Sequence, residues 1–212
     1  MKIRTAVLAA VVLATAAGVP AASAAPKKKA PPPVCNLLVD DKGDTIPTPD
    51  DSLDVHSADI ASDAKKITTV IRLGGSPDGV NPTSPTGRTY HIEFVGQGGA
   101  HPVFMSYIVA PNSSAATYGH FDPDTGINTG DGQATVKVSG NNIFMTAPVG
   151  SFSSYGKFKP GAKITGLSVT VGRMVGAYVD SGTYLYNSPV ADSAEGGKVY
   201  TAGARSCVKV GG

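Results

Sequence analysis

The residues most able to do chemistry are carboxylates clustered around residue 40. The segment Asp40–Asp44 carries three of them around a glycine, and three more follow shortly afterwards, Asp50, Asp51 and Asp54. Clustered carboxylates at a glycine turn suit Ca²⁺, which takes 6–8 oxygen ligands in a flexible shell. We therefore expect Asp41 and Asp44 to be calcium ligands. The alternative is a solvated loop, because Asp and Gly are also common turn formers.

Tyrosines near the C-terminus are a second candidate site. Tyr178, Tyr184 and Tyr186 lie close together in sequence. Exposed tyrosines can stack on sugar rings, so we predict that these three bind a ligand. The chain has no tryptophan. A strand that packs its tyrosine rings against cross-strand neighbours is the alternative.

The histidines and serines form no recognisable catalytic or zinc motif. None of the four histidines belongs to a His-x₃-His pair, and no serine stands in a Gly-x-Ser-x-Gly turn. His120 and Asp122 are close enough in sequence to suggest acid–base work, but no nucleophile accompanies them. We therefore predict no catalytic residues and a protein that is not an enzyme.

The two cysteines of the chain, Cys35 and Cys207, lie far apart in sequence. In an oxidising compartment they would form one disulfide that closes nearly the whole chain, with two free thiols as the alternative. Such a bond would bring the acidic segment near Asp192, which precedes the second cysteine. We therefore add Asp192 to Asp41 and Asp44 as a candidate calcium ligand.

The N-terminus has the three parts of a secretion signal. Lys2 and Arg4 precede an apolar run over residues 6–19, and Ala22–Ala24 supplies the small residues read by a signal peptidase. The apolar run is shorter than the roughly 20 residues that cross a bilayer. We therefore predict a signal peptide over residues 1–24, a secreted protein and no transmembrane anchor.

A proline- and lysine-rich segment over residues 25–34 is predicted to be a disordered spacer, followed by a single domain over 35–212. Without the signal peptide, the 18 Lys and Arg less Lys2 and Arg4 equal the 16 Asp and Glu in number. A neutral domain lacks the basic field typical of nucleic-acid binding. We therefore expect no nucleic-acid partner.

The hydrophobic pattern of the domain has period two, with Gly, Pro, Asn and Asp between the apolar runs. Long helices are not supported, because 26 Gly and 16 Pro interrupt every candidate. The pattern predicts an all-β, antiparallel β-sandwich of jelly-roll or immunoglobulin type with almost no helix. Its nine predicted strands are Leu53–Ile60, Lys66–Leu73, Arg88–Val95, Pro102–Ala110, Ala115–Phe121, Gly132–Val138, Asn141–Thr146, Lys163–Met174 and Lys198–Val210, with one helical turn near Val149–Tyr155.

Two of these segments resemble a hairpin found in extracellular domains of the DOMON type and in family 9 carbohydrate-binding modules. In those families a Leu-Asp-Ile-x-Ser-Ala-x-Val strand precedes a Leu-Thr-Val-x-Ile-x-Leu strand. Leu53–Ile60 and Asp63–Leu73 are similar to them, and Lys42–Asp44 stands at the position of an Asp-Gly-Asp-like turn. The resemblance implies a β-sandwich over roughly residues 35–210 with a binding role.

Together these features favour a secreted, non-enzymatic module that binds a glycan or another cell-envelope ligand, with structural calcium. An accessory interaction domain of an extracellular assembly or protease system is the first alternative. A small-molecule or haem carrier is the second, in which Met105, Met145 or Met174 would pair with a histidine. The oligomeric state has no signal in the sequence.

Overall fold

The structure, a computed structural model, describes residues 31–78, 87–174 and 189–211. The predicted signal peptide and most of the predicted spacer therefore lie outside the described residues. Within them the regular secondary structure is almost entirely strand, in two antiparallel sheets. The strands are β1 Leu38–Val39, β2 Val55–Ser62, β3 Lys66–Leu73, β4 Arg88–Gly96, β5 Val103–Ala110, β6 Ser113–Asp122, β7 Ile127–Gln133, β8 Thr135–Ser139, β9 Asn142–Pro148, β10 Lys163–Arg173, β11 Val190–Ala194 and β12 Tyr200–Thr201.

The two sheets confirm the predicted all-β sandwich. The first has the order β1-β2-β3-β9-β8, and the second has the order β11-β10-β4-β5-β6-β7, with β12 beside β10. A 3₁₀ helix over Val149–Phe152 follows β9 and is the predicted helical turn. Alternating apolar residues form these strands because successive side chains point to opposite faces of a sheet.

The core lies between the sheets and is filled by the inward faces of the strands. Tyr90, Ile92 and Phe94 alternate along β4 and have no exposed surface. The Phe94 ring meets Phe152 and Phe158 edge-on, with both centroids 5.9 Å away. Edge-to-face aromatic contacts of this kind add to the stabilisation that burial of the rings supplies. The 3₁₀ helix and the loop after it are thereby fixed to the larger sheet.

Strand β5 has buried residues on both faces, as its sequence predicts for a central strand. It pairs with β4 on one side and β6 on the other. Strand β3 keeps its predicted bounds, and β2, β4, β6, β9 and β10 differ from theirs only at the ends. Long segments with a clear period of two are therefore predicted well.

Two predicted segments are wrong in detail. The segment Gly132–Val138 is divided between β7 of the larger sheet and β8 of the smaller one. The segment Lys198–Val210 contributes only the two residues Tyr200–Thr201. Asp192 lies within β11, a strand that the pattern does not predict. The described residues thus form twelve strands, where the pattern predicts nine.

The predicted disulfide is present between Cys35 and Cys207, 172 residues apart in sequence with Cα atoms 5.2 Å apart. Val34 pairs in parallel with Ser206 immediately beside it. Cys207 therefore lies after the last strand, not within it. The bond fastens the chain that leads into β1 to the C-terminal segment.

Among the described residues no helix is long and apolar enough to cross a membrane. The disulfide is of a kind that persists in oxidising compartments.

Candidate functional site

Three carboxylates meet at one end of the sandwich. Asp40, Asp44 and Asp192 each present an oxygen, and these oxygens all lie within 4.8 Å of one another. Asp40 directly follows β1, Asp44 lies on the exposed loop after it, and Asp192 is buried in β11. Edge strands of both sheets therefore contribute to this acidic cluster.

Backbone amides hold the acidic cluster in place. The Val55 amide at the start of β2 donates to Asp192 Oδ2 at 2.7 Å, which ties the two sheets together. The Asp40 amide donates to the His56 carbonyl at 3.2 Å. The Gly43 amide donates to Asp54 Oδ1 at 2.8 Å and so fixes the turn between Asp40 and Asp44.

Two carboxyl groups of the acidic cluster have a raised pKa. Burial, together with the nearby charge of Asp192, raises the pKa of Asp40 from 3.8 to about 6. Burial also raises the pKa of Asp192, to which the charge of Asp44 contributes. Asp40 Oδ2 is inaccessible to solvent and has no hydrogen-bond partner among the described residues. Buried polar atoms normally have a partner, so this oxygen is available to a ligand.

The arrangement suits a cation with oxygen ligands. Ca²⁺ binds oxygens at 2.3–2.6 Å, so two ligands on opposite sides of the ion are about 5 Å apart. The three carboxylate oxygens satisfy this limit without any rearrangement. A divalent cation would also remove the repulsion that raises the pKa of Asp40.

The acidic cluster contains Asp44 and Asp192, two of the three predicted calcium ligands. Its third member is Asp40, where the prediction has Asp41. Asp41 is exposed and lies outside the cluster, whereas its neighbour Asp40 faces Asp192. Adjacent residues of an extended chain point in opposite directions, so only one of the two can face β11. Sequence spacing alone does not determine which one.

A cavity with aromatic and titratable side chains lies at the turn end of β6. Its volume is about 460 Å³, and His101, His120, Asp122 and Tyr155 are among its lining residues. The rings of His120 and Tyr155 are stacked, with centroids 4.2 Å apart and planes 15° apart. We call this the His120–Tyr155 pocket.

Asp131 connects the two stacked rings. Its Oδ2 lies 3.0 Å from His120 Nδ1, and its Oδ1 accepts a hydrogen bond from the Tyr155 hydroxyl at 3.5 Å. Burial and the charge of Asp131 raise the pKa of Tyr155, so the phenol stays protonated and remains a donor. The pocket therefore contains two stacked rings whose orientation the Asp131 carboxylate fixes.

The walls of the pocket depend on close backbone approach. A Cβ at Gly99 would lie 2.3 Å from the Tyr155 carbonyl oxygen, so only glycine fits there. This contact sets the loop before β5 directly against the loop that carries Tyr155. A pocket built from packed backbone segments is largely pre-formed, as ligand sites usually are.

The sequence pattern does not reveal this pocket, because the pocket depends on a β-bulge. In the β6–β7 hairpin, Tyr118 pairs with Gly132 and Gly119 with Gly130, which leaves Asp131 as an extra residue. A bulge re-aims the side chain of the extra residue, here toward His120. The sequence shows only that His120 and Asp131 flank one turn; it does not show the bulge.

An acyl-transfer triad is not formed in the pocket. Ser154 lines it beside His120 and Tyr155, but within the described residues no hydrogen bond joins Ser154 to His120. A serine nucleophile needs a base within hydrogen-bond reach. The pairing of His120 with Asp131 fixes the orientation of the imidazole.

The remaining residues predicted to bind a ligand lie in the core, lie at the surface or are outside the described residues. Met105 and Met145, candidates for haem ligation, have no exposed surface and lie in the core, while Met174 lies at the surface, partly exposed. The predicted ligand-binding residues are outside the described residues: Tyr178, Tyr184 and Tyr186.

No protein-family model matches the chain, and a search of the curated proteins finds no match either.

Proposed function

We propose that the chain is a secreted, non-enzymatic binding module for a glycan or another cell-envelope ligand. The observation that carries this proposal is the His120–Tyr155 pocket, a pre-formed cavity of about 460 Å³ at one end of a rigid sandwich. Ligand pockets commonly have volumes of 300–1,000 Å³ and combine apolar surface with a few oriented polar groups. The pocket fits that description.

A sugar needs both a ring surface and hydrogen-bond acceptors, and the pocket offers both. Tyr155 and His120 present stacked rings, while Asp131 keeps them in a fixed orientation. Hydrogen bonds from the backbone amide of Asp124 and the hydroxyl of Thr125 lower the pKa of Asp122, so this carboxylate is an acceptor at neutral pH. Hydroxyl groups of a glycan would donate to such carboxylates.

Secretion is part of the same proposal. The N-terminal charge, apolar run and Ala-Ser-Ala sequence are those of a signal peptide. The Cys35–Cys207 disulfide supports an oxidising compartment, where such bonds persist. The resemblance of Leu53–Ile60 and Asp63–Leu73 to DOMON domains and family 9 carbohydrate-binding modules also favours an extracellular binding role.

The test is sedimentation of the purified protein with isolated peptidoglycan sacculi, followed by titration with oligomers of N-acetylglucosamine. We expect retention of the wild type and at least tenfold weaker retention of Tyr155→Ala, because a stacking ring is lost. Tyr155→Phe is the matched control, which keeps the ring and removes only the hydroxyl. Equal retention of the wild type and Tyr155→Ala would exclude the pocket as the site.

The alternatives have distinct outcomes in the same preparation. A protein recovered by cross-linking in culture medium, without retention on sacculi or oligosaccharides, would favour the accessory interaction domain. A Soret band after addition of haem would favour the carrier. Hydrolysis of the oligomers would show that the chain is an enzyme.

We also propose that Asp40, Asp44 and Asp192 hold a structural Ca²⁺. The buried and unpartnered Asp40 Oδ2, together with the raised pKa of two of the three carboxylates, supports this site. Extracellular calcium sites have dissociation constants of about 10⁻⁴–10⁻³ M. At ten times the dissociation constant, binding stabilises the fold by about 1.4 kcal/mol.

The calcium site is tested by thermal denaturation in EDTA and in Ca²⁺. We expect Ca²⁺ to raise the melting temperature of the wild type by about 3–5 °C, and to have no effect on Asp40→Asn. Asp41→Asn is the matched control, since it removes an adjacent carboxylate that lies outside the cluster. An equal loss of the calcium effect in both variants would show that general charge, not this site, is responsible.

A further inference from the structure

A second cavity lies beside the His120–Tyr155 pocket, and Gly156 lines both. Its volume is about 560 Å³. Its lining divides into two chemical groups. Val149, Phe158 and Ala162 are buried and apolar, whereas Lys157 and Lys159 are exposed. We call this the lysine-rimmed cavity.

The walls of the lysine-rimmed cavity are held by backbone hydrogen bonds. Lys157 and Gln97 exchange both of their backbone bonds, at 3.0 and 3.2 Å. The Gly161 amide donates to the Ala202 carbonyl at 2.8 Å. The loop over residues 157–162 is thus tied to Gln97, directly after β4, at one end and to the segment after β12 at the other. A ligand would enter a cavity whose shape exists before binding.

The floor of the cavity is a fixed aromatic ring. Phe158 is 1% exposed and meets the Phe94 ring edge-on. A Cβ at Gly96 would lie 2.4 Å from the Phe158 ring, so the ring rests directly on the backbone of β4. An apolar chain in the cavity would leave water and contact the exposed part of this apolar lining.

The rim of the cavity is positively charged. Lys157 and Lys159 lie on it, and none of its described lining residues is Asp or Glu. The lining residue Ala64 precedes Lys65 and Lys66 in an exposed turn. The Asp63 carboxylate in that turn accepts hydrogen bonds from the amides of those two lysines, at 2.6 and 2.8 Å. Within the described residues none of the four lysines forms an ion pair.

We propose that the lysine-rimmed cavity binds a monomeric amphiphile that carries one anionic head group and one alkyl chain. The chain lies on Phe158 and the other apolar lining residues, and the head group meets Lys157 and Lys159 at the rim. Charge complementarity selects the anion, because a cationic head group would face like charges. This site is separate from the His120–Tyr155 pocket and goes beyond the proposed function.

Isothermal titration calorimetry with alkyl phosphates below their micelle-forming concentrations tests the proposal on the disulfide-bonded protein. We expect dodecyl phosphate to bind with a stoichiometry of one. Each further CH₂ group from octyl to dodecyl phosphate is expected to tighten binding by about fourfold. Dodecyltrimethylammonium has the same chain with a cationic head and is expected to show no binding.

Two variants test the contributions of the charged rim and the apolar floor separately. Lys157→Gln with Lys159→Gln is expected to weaken dodecyl phosphate binding by about tenfold, whereas Lys209→Gln, an exposed lysine near the disulfide, leaves it unchanged. Gly150 lines the cavity and has open space where a Cβ would stand. Gly150→Met is therefore expected to fill the cavity and remove the dependence on chain length. Melting curves of each variant verify that it is folded.

Four results would overturn the proposal. They are no binding of dodecyl phosphate, equal binding of the ammonium compound, binding unaffected by the paired lysine substitutions, and sedimentation with phosphatidylglycerol vesicles without binding of the monomer. The last result would assign the lysines to a membrane surface. Because the glycan test uses Tyr155 variants, failure of either proposal leaves the other intact.

Discussion

The two ends of strand β2 have opposite chemistry. At its start, the Val55 amide donates to a carboxylate of the acidic cluster, where three Asp side chains converge. At its end, the turn with Ala64 borders a cavity with two lysines and an aromatic floor. Eight residues separate these ends, a distance of about 25 Å along a strand. One strand therefore connects a carboxylate cluster with an apolar, basic surface.

The acidic cluster and the His120–Tyr155 pocket differ in the partners of their carboxylates. The acidic cluster keeps like charges together, and burial together with the charge of Asp192 raises the pKa of Asp40. Next to the lysine-rimmed cavity, in the His120–Tyr155 pocket, His120 Nδ1 is paired with Asp131 and its ring is stacked on Tyr155. The first arrangement leaves Asp40 Oδ2 without a partner among the described residues, while in the second Asp131 contacts both His120 and Tyr155.

The largest expected effect comes from removing the disulfide by Cys35→Ser with Cys207→Ser. The chain-entropy model gives a loss of up to about 5 kcal/mol for a loop of this length. We expect calcium affinity to fall as well, because the bond anchors the segment that carries β1 and Asp40. Urea unfolding with and without Ca²⁺ measures both, with Ser206→Ala as the control. A loss below about 1 kcal/mol would show that the acidic end is held without the bond.

The next largest effect is expected at Asp59, a buried aspartate on β2. The comparison residue is Asp63, an exposed aspartate in the turn that follows β2. Asp59 is fully buried, accepts from the Leu37 amide at 2.8 Å and lies 2.8 Å from Arg72. We expect Asp59→Ala to cost about 2–3 kcal/mol, since a buried amide and a guanidinium lose their partner. Asp63→Ala removes an exposed turn carboxylate and is expected to cost clearly less. Equal losses in chemical denaturation would contradict the difference in burial.

The acidic end should also show a characteristic pH dependence in EDTA. Because the pKa of Asp40 is raised in the folded state, folding is favoured below pH 3.8, and this advantage is lost as the pH rises through about 6. Asp40 is partly solvated, so we expect on the order of 1 kcal/mol. The stability difference between the wild type and Asp40→Asn, measured between pH 4 and 7, isolates this contribution. A constant difference would show that Asp40 titrates normally.

The smallest expected effect is on the pocket side. Tyr155→Phe removes one long hydrogen bond to Asp131, of 3.5 Å, and leaves the stacked ring in place. We expect the melting temperature to change by less than about 2 °C, because surface substitutions of this kind usually cost under 0.5 kcal/mol. A larger loss in a thermal scan would mean that the pocket contributes to the stability of the fold.

Much of the fold could be predicted from the sequence, because long strands carry a visible period of two. Strand β3 coincides with its predicted bounds, and β5 is central as predicted. The strands β1 and β12 have two residues each, too few for any period. They form because the disulfide and neighbouring strands hold them, which is tertiary information.

The site was predicted less completely than the fold. The proximity of Asp44 and Asp192 follows from the disulfide, and the structure brings them together. The choice of Asp40 over Asp41 depends on which face of the chain meets β11, and the role of Asp131 depends on a bulge. Both are decided by packing between distant strands, which one sequence does not reveal.

Amide hydrogen exchange of the disulfide-bonded protein, in EDTA and in millimolar Ca²⁺, tests the difference between the two ends most directly. We expect slower exchange in Ca²⁺ for the amides of Gly43 and Val55, which donate to carboxylates at the acidic end. We expect no change for residues 129–133 beside His120, and no calcium effect anywhere in Asp40→Asn. Exchange that is unaffected by Ca²⁺ at Gly43 and Val55, or slowed equally at both ends, would contradict this expectation.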